Sequence, residues 1–317
     1  MKVLVTGATG FVGRSVVTQL LQAGHQVAAL TRDPNRTSML PANGAAVVRG
    51  DILDRGSLVR ACQGADAVIH LVAVIRESRR TQTFERANVD GTRTLMIAAA
   101  DSGVSRVVYA STVGAVDDPG LPYMRSRWQA EQLVADSGIP FSILRFSVAF
   151  GTGDEFINPL AAMVKALPVV PLPGDGSARF QPIAVGDVAR CLVAALAPNV
   201  ALGRTLDIGG PQYLTYVDLM KLAGEAVGSR ALMVKTPMPV MRLVVRAMGL
   251  VMKRPPATGE QLKMLELDSV AKLDSVKTAF GFEPISISGN LRYVQRMSLL
   301  DAIRINLGGM PRHIRDH

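Results

Sequence analysis

The run Val3 to Gly13, Val-Leu-Val-Thr-Gly-Ala-Thr-Gly-Phe-Val-Gly, constrains this chain more than any other stretch. A short apolar strand enters a turn carrying Gly7, Gly10 and Gly13 and passes at once into an amphipathic helix. Glycine permits a tight turn and a close approach of backbone to a bound group, and the opening turn of a helix points N–H groups and partial positive charge at whatever lies there. This spacing, in this setting, predicts a cradle for a dinucleotide pyrophosphate built from Gly7, Thr9, Gly10, Phe11, Val12, Gly13 and Arg14. A plain glycine turn explains the triplet but not the strand and helix on either side of it.

The same rhythm of apolar run, turn and helix-period stretch continues to about residue 150. It predicts strands at Lys2 to Thr6, Gln26 to Thr31, Ala46 to Arg49, Ala67 to Leu71, Arg106 to Ser111 and Phe141 to Arg145. Helices are expected at Gly13 to Ala23, Asp54 to Cys62, Phe84 to Ser102 and Tyr123 to Ser137. The strands are near-continuously apolar, as strands covered on both faces must be, so the fold class is α/β, a Rossmann-type doubly wound parallel sheet. Beyond it the alternation dissolves, and Pro168 to Gly176 reads as turns. The expected organisation is a dinucleotide-binding domain over 1–155 and a smaller C-terminal substrate lobe over 156–317, with 178–211 threading back to the first domain.

The end of the second strand bears on which dinucleotide is bound. An acidic residue there would hold a ribose 2′-hydroxyl; this strand instead runs from Leu30 into Thr31 and Arg32. Arg32, with Arg14 and Arg36, offers guanidinium groups to a 2′-phosphate, so NADP(H) is expected in preference to NAD(H). The competing reading leaves these arginines as solvated loop charges. Asp51 and Ile52, after the third strand, stand where an adenine edge would lie, although Asp51 could equally cap the following helix.

Lysine and arginine total 35 against 26 acidic residues, a net charge of +9 that favours anionic partners without choosing among them. No basic run interleaves with aromatics, which argues against nucleic acid. Cys62 and Cys191 form no CxxC or Cys/His cluster and read as core thiols of a reducing compartment, and the four histidines form no constellation, so no metal is expected. The opening residues lack a signal-peptide pattern, and no apolar run reaches the roughly 18 residues of a membrane span, so a cytoplasmic protein is expected. The run 237 to 252 comes nearest, interrupted by Arg242 and Arg246, within the apolar stretch Met233 to Met252. It would either pack and line an apolar substrate pocket or lie as a basic amphipathic helix on an anionic membrane, making the protein peripheral to it.

Several further runs carry a family resemblance: Gly-Asp-Ile (50 to 52), His-Leu-Val-Ala (70 to 73), Asn-Val-Asp-Gly-Thr (88 to 92), Tyr-Ala-Ser-Thr (109 to 112), Tyr-Met-Arg-Ser-Arg-Trp-Gln-Ala-Glu (123 to 131) and Gly-Asp-Gly-Ser-Ala-Arg-Phe-Gln-Pro-Ile-Ala-Val-Gly-Asp-Val-Ala (174 to 189). Together with the glycine run they resemble the extended short-chain dehydrogenase/reductase superfamily, which includes sugar-nucleotide epimerases and dehydratases. The wording of the last run, with Leu-Arg-Phe-Ser-Val-Ala-Phe-Gly-Thr-Gly-Asp (144 to 154), is most similar to the atypical subgroup containing the NADPH-binding accessory subunit of respiratory complex I and its bacterial stand-alone relatives. The resemblance implies Tyr123 as proton donor, Ser111 as the group polarising the substrate oxygen, and a cofactor site that extends to Leu71, Val72, Ala73, Asn88, Tyr123 and Arg127. The family shows lysine four residues after the tyrosine; Arg127 stands there instead, keeping the charge but unable to release a proton. Phe146 replaces a usual proline. Three readings follow: an NADPH-dependent oxidoreductase on a small apolar carbonyl or quinone-like substrate; a non-catalytic NADPH-binding subunit or sensor docked to a membrane or respiratory complex; and a sugar-nucleotide epimerase or dehydratase. Tyr123 and Arg127 as an idle helix-surface pair, and Asn88 as a helix anchor bonding nearby backbone, are the bland alternatives.

Overall fold

Apolar runs too short for helices build the frame, buried on both faces in the inner strands and largely exposed at the two edges. The computed structural model describes residues 1–41, 44–77, 82–251 and 257–315, with backbone only at 249–251. Seven strands, β1 (Lys2–Thr6), β2 (Gln26–Thr31), β3 (Ala45–Arg49), β4 (Ala67–His70), β5 (Arg106–Thr112), β6 (Phe141–Phe146) and β7 (Arg204–Ile208), form one sheet in the order β7-β6-β5-β4-β1-β2-β3. Every neighbouring pair is parallel. The chain turns from one half of the sheet to the other between β1 and β4, and at such a switch point the carboxyl ends of the strands open a crevice for a ligand.

Helices α1 (Phe11–Gln22), α2 (Arg55–Cys62), α3 (Gly91–Asp101) and α4 (Pro122–Ala135) connect these strands. Leu4, Ala28, Leu58, Leu95, Val107 and Ile143 belong to one buried cluster of this sheet and its helices. The helix expected from Phe84 to Ser102 instead opens with a π-helical segment, Glu85–Asp90, before α3 begins. Wide turns of this kind are frequent at functional sites, and this one contains Asn88.

The first compact unit takes in Met1–Phe146, Val185–Ile208 and Asp274–Phe282; the second comprises Ser147–Ala184, Gly209–Leu273 and Glu283–His317. The division thus falls at 146/147 rather than 155/156, and the returning segment is 185–208 rather than 178–211, joined by 274–282. The boundary follows sheet pairing: β6 ends at Phe146, and the chain rejoins the sheet as β7. In the second unit the helices Ile157–Ala166, Tyr216–Val227 and Leu299–Asn306 share a core of Leu160, Val164, Leu219, Met220, Ala302 and Ile305.

The segment Pro168 to Gly176, expected as turns, contains a strand, Val169–Pro173, parallel to Leu232–Thr236. Strand alternation explains why its prolines are tolerated. The Gly174 N–H donates to the Thr236 carbonyl, so even-numbered positions face the partner and Pro171 and Pro173 present their missing donors to the other side of a two-stranded sheet.

Arg106, buried at the start of β5, donates through Nη2 to Ser142 Oγ (2.8 Å) and to the carbonyls of Ala195 (2.7 Å) and Val200 (3.1 Å). These bonds tie β5 to the chain following the helix Val185–Ala194. Arg106→Leu strands buried carbonyls, and we expect a loss of about 3 kcal/mol in the unfolding free energy, read from the urea midpoint.

Candidate functional site

The glycine turn is closed so tightly that side chains are excluded. A Cβ on Gly13 would lie 2.1 Å from the Gly7 carbonyl oxygen and 2.7 Å from that of Ala8. One on Gly10 would lie 3.1 Å from the Gly7 oxygen. Gly7 has φ +73°, and its Cβ would press at 3.3 Å on Leu71 and the Val72 nitrogen, so the loop Leu71, Val72, Ala73 runs directly against the turn. Helix α1 starts two residues before its expected position, with Gly10 as N-cap, no side-chain cap and no acidic residue in its first turn. The opening N–H groups of Phe11, Val12 and Gly13 therefore have no side chain competing for an anion. Thr9 and Arg14 flank this turn half-buried.

Around the cradle the expected residues divide. Arg32 is exposed just past β2, and the amide oxygen of Gln82, in the orientation that satisfies both groups, accepts from its two terminal nitrogens at 3.1 and 3.2 Å. Asp33 next to it turns away, accepting from the Asn35 N–H as cap of the 3-10 segment Pro34–Met39 that carries the exposed Arg36. Asp54, not Asp51, caps α2; the Asp51 carboxylate instead accepts from the Leu53 N–H at 2.9 Å. The Ile52 side chain lies in the core, so tightly on Gly91 that a Cβ there would meet it at 2.9 Å. Asn88 is fully buried: its Oδ1 accepts from Val74 N (2.9 Å), and its Nδ2 donates to Val74 O (3.3 Å) and Ser126 Oγ (2.9 Å). Its polar atoms anchor the loop after β4 to α4.

One face of α4 supplies the chemistry. Tyr123, Arg127 and Glu131 recur every fourth residue and all three are buried, so the tyrosine and arginine are not a surface pair. The Tyr123 ring meets Phe84 edge-on at 5.6 Å, and the neighbouring Thr112 hydroxyl acts on its phenol. Ser111, expected in that place, donates to Glu131 Oε1 at 2.5 Å. Glu131 is held further by Arg145, from Nε at 2.9 Å and from Nη2 at 2.6 Å. With its single hydrogen directed at Glu131, Ser111 has none to give a substrate oxygen, and Thr112 is the hydroxyl that acts on the tyrosine.

The Arg127 guanidinium bonds the Ala110 carbonyl and lies 4.8 Å from the centroid of the Tyr109 ring. Its Nε and Nη1 are buried without a hydrogen-bond partner among the described residues. Burying such donors unpaired is costly, and the cost is recovered when a ligand's hydroxyl or carbonyl oxygen accepts from them. Burial also pushes the Tyr123 phenol above its ordinary value, against the opposing pull of the Arg127 charge and the Thr112 bond. Cys62 is held up at about 11 by burial, so it remains a thiol at neutral pH. Among the described residues no cluster suits a metal ion, and no helix is long and apolar enough to cross a membrane.

The model of the NAD-dependent epimerase/dehydratase family matches residues 3–209, from the start of β1 to just past β7. The chain belongs to that family. NADH dehydrogenase (ubiquinone) 1 alpha subcomplex subunit 9, mitochondrial, of Arabidopsis thaliana is 29% identical over 276 residues, covering 85% of this chain and 68% of that protein. The 2-alkyl-3-oxoalkanoate reductase of Stenotrophomonas maltophilia is 28% identical over 330 residues, covering 94% and 99%. An NADPH-dependent quinone oxidoreductase from Escherichia coli, solved with NADPH, superposes with TM-score 0.74 at 19% identity, covering 92% of this chain and 100% of that one, a likeness of fold. The extended short-chain dehydrogenase/reductase resemblance and the Rossmann-like sheet thus hold, and members of this family bind a nicotinamide dinucleotide. The glycine cradle and the unpartnered Arg127 donors fit such a group.

Thr112 and Glu131 were not singled out from sequence. For Glu131 the signal was available, since it lies four residues past Arg127 as Arg127 lies four past Tyr123. For Thr112 the Ser-Thr pair at the strand end offered two hydroxyls and no means of choosing. Gly13→Ala should distort the turn, costing about 1–3 kcal/mol of stability and at least tenfold in pyridine-nucleotide affinity, measured by urea unfolding and fluorescence titration.

Proposed function

We propose that this protein is an NADPH-dependent oxidoreductase that reduces a small apolar carbonyl or quinone-like substrate. The carrying observation is the buried pair Tyr123 and Arg127, with the half-buried Thr112, at the carboxyl ends of the central strands. When bound, the nicotinamide supplies a hydride to the substrate carbon. Tyr123, kept protonated by burial, gives its hydroxyl proton to the carbonyl oxygen; oxidation of an alcohol would need the phenolate instead, so burial favours reduction. Thr112 takes the orienting and polarising role expected of Ser111, whose hydroxyl instead steadies Glu131. Arg127 offers Nε and Nη1 to the ribose beside the nicotinamide, a fixed clamp without proton exchange.

Gly7, Thr9, Gly10, Phe11, Val12 and Gly13 hold the pyrophosphate, with Leu71, Val72 and Ala73 forming the wall opposite, Asn88 positioning that wall, and Asp51 and the Ile52 backbone at the adenine edge. Arg32 and Arg14, with Arg36 near, receive the 2′-phosphate; the neutral Gln82 oxygen on Arg32 is an acceptor that a dianionic phosphate outcompetes. The name of the Stenotrophomonas reductase supports a ketone substrate. We place the protein in the cytoplasm.

A second reading, an NADPH-binding subunit without turnover, is favoured by Arg127 in the lysine position and by the helix Met238–Val251. That helix exposes Val240, Leu243 and Val244 beside Arg242 and Arg246, a face suited to a membrane or a membrane complex. The Arabidopsis relative is named as a subunit of NADH dehydrogenase (ubiquinone).

Tyr123→Phe should lower NADPH oxidation across a ketone and quinone panel about 100-fold or more while NADPH still raises the melting temperature. Turnover absent in the parent, with the NADPH stabilisation intact, supports the subunit reading. Because the phenol titrates above the ordinary tyrosine range, the parent's kcat for reduction should stay flat from about pH 6 to 9 and fall only as the phenol ionises. Arg32→Asp should weaken NADPH about tenfold and spare NADH in a binding titration; equal losses for both place the 2′-phosphate elsewhere.

A further inference from the structure

A row of buried polar groups runs from the last residue of β1 to helix α4. Thr6 Oγ1 lies 2.7 Å from His70 Nδ1, His70 Nε2 lies 3.0 Å from Thr92 Oγ1, and Thr92 Oγ1 lies 2.6 Å from the Asn88 carbonyl oxygen. The Asn88 amide continues to Ser126 Oγ at 2.9 Å, and Ser126 Oγ donates to the Tyr123 carbonyl at 2.7 Å. Thr6, His70, Thr92 and Asn88 are fully buried and Ser126 nearly so. The His70 ring stacks on Tyr109, with centroids 5.2 Å apart.

Counting hydrogens orients the row. A carbonyl oxygen only accepts, so the contact between Thr92 and Asn88 uses the single hydrogen of the Thr92 hydroxyl. The Thr92 oxygen must then accept from His70, which puts a hydrogen on Nε2. Thr6 Oγ1 accepts from the Leu71 N–H at 3.3 Å and has its own hydrogen to give to Nδ1. The neutral Nδ1–H ring would leave either the Nε2 contact or the Asn88 contact without a hydrogen. A doubly protonated ring would fill both contacts, but complete burial and the nearby Arg127 charge hold the imidazole down at about 3, so it is neutral at physiological pH.

We infer that His70 is a positioning residue: as the neutral Nε2–H tautomer it completes a one-way hydrogen-bond chain, Thr6 to His70 to Thr92 to Asn88, that is carried on through Ser126 to the Tyr123 turn. The two ends matter to the site. Thr6 is the residue before Gly7, and the Tyr123 carbonyl belongs to the turn that aims the phenol. The chain therefore couples the grip on the pyrophosphate to the placement of the tyrosine. The coupling rests on the nucleotide-binding reading above; the tautomer does not.

The test uses the full chain labelled with nitrogen-15. The His70 ring should show a protonated Nε2 and an unprotonated Nδ1, unchanged from about pH 5 to 8; a proton on Nδ1 overturns the proposal. Glutamine can accept through its oxygen and donate through its nitrogen as this tautomer does, whereas leucine fills the space and does neither. We expect His70→Gln to keep NADPH affinity within about threefold and His70→Leu to lose about tenfold, each judged on folded protein by circular dichroism. Parental affinity in folded His70→Leu overturns the coupling. Thr92→Val and Ser126→Ala remove smaller groups, so they serve even where the leucine variant does not fold. Their NADPH losses should be non-additive, the double variant binding no worse than about twofold below the weaker single; losses that simply multiply overturn the coupling. A parent that binds no pyridine nucleotide defeats the functional reading and the coupling with it, and is told apart from failure of the chain by the ring resonances, which need no ligand.

Discussion

The first unit depends on how closely the opening turn of α1 lies on the carbonyl oxygens of Gly7 and Ala8. With 2.1 Å between the Gly7 oxygen and the place a Gly13 Cβ would occupy, there is room for hydrogen alone. That contact sets the angle at which α1 leaves β1, leaves the first helical N–H groups without a side-chain cap, and brings the turn against Leu71 and Val72. An anion site made of backbone needs no charged side chain to create it. It does require that nothing else fill the cradle, which glycine ensures.

The second constraint is a buried cation. Arg127 is nearly inaccessible, with one bond to a carbonyl, an aromatic ring close by and two nitrogens unsatisfied among the described residues. Close by, Glu131 is fully engaged by Ser111 and by the two-point contact of Arg145, so its charge is met there rather than by Arg127. The site thus separates two electrostatic tasks on one helix face: a closed pair that fixes α4 against β5 and β6, and an open cation that lowers the charge tolerance of His70 and partly offsets the burial of Tyr123. An enzyme that donates a proton to a carbonyl gains from that arrangement, because the phenol stays protonated while a positive field favours the oxyanion that forms opposite it.

Much of this was legible from the residues in order. The glycine turn, the parallel strands and the face of α4 that carries Tyr123 and Arg127 all rest on short-range periodicity, and the strand boundaries moved by only a residue or so. The extra turn at Glu85–Asp90, the strand inside Pro168 to Gly176 and the point where the chain leaves its first unit were not legible in that way. Each depends on a partner distant in sequence: Val74 and Ser126 for Asn88, Leu232–Thr236 for the proline-bearing strand, and β7 for the end of β6.

The sequence by itself determined the backbone chemistry of the cradle, because glycine's freedom and a helix's polarity are local properties. It also determined that a tyrosine and a guanidinium share one helix face, because four residues make about one turn. Only the tertiary structure decided that Ser111 gives its hydrogen to Glu131 while Thr112 acts on Tyr123, that Asp54 rather than Asp51 caps α2, and that His70 joins β1 to α3. Those outcomes turn on register, the few ångströms by which a helix is displaced along a strand, and register is set by the packing of the whole core rather than by any neighbouring residue.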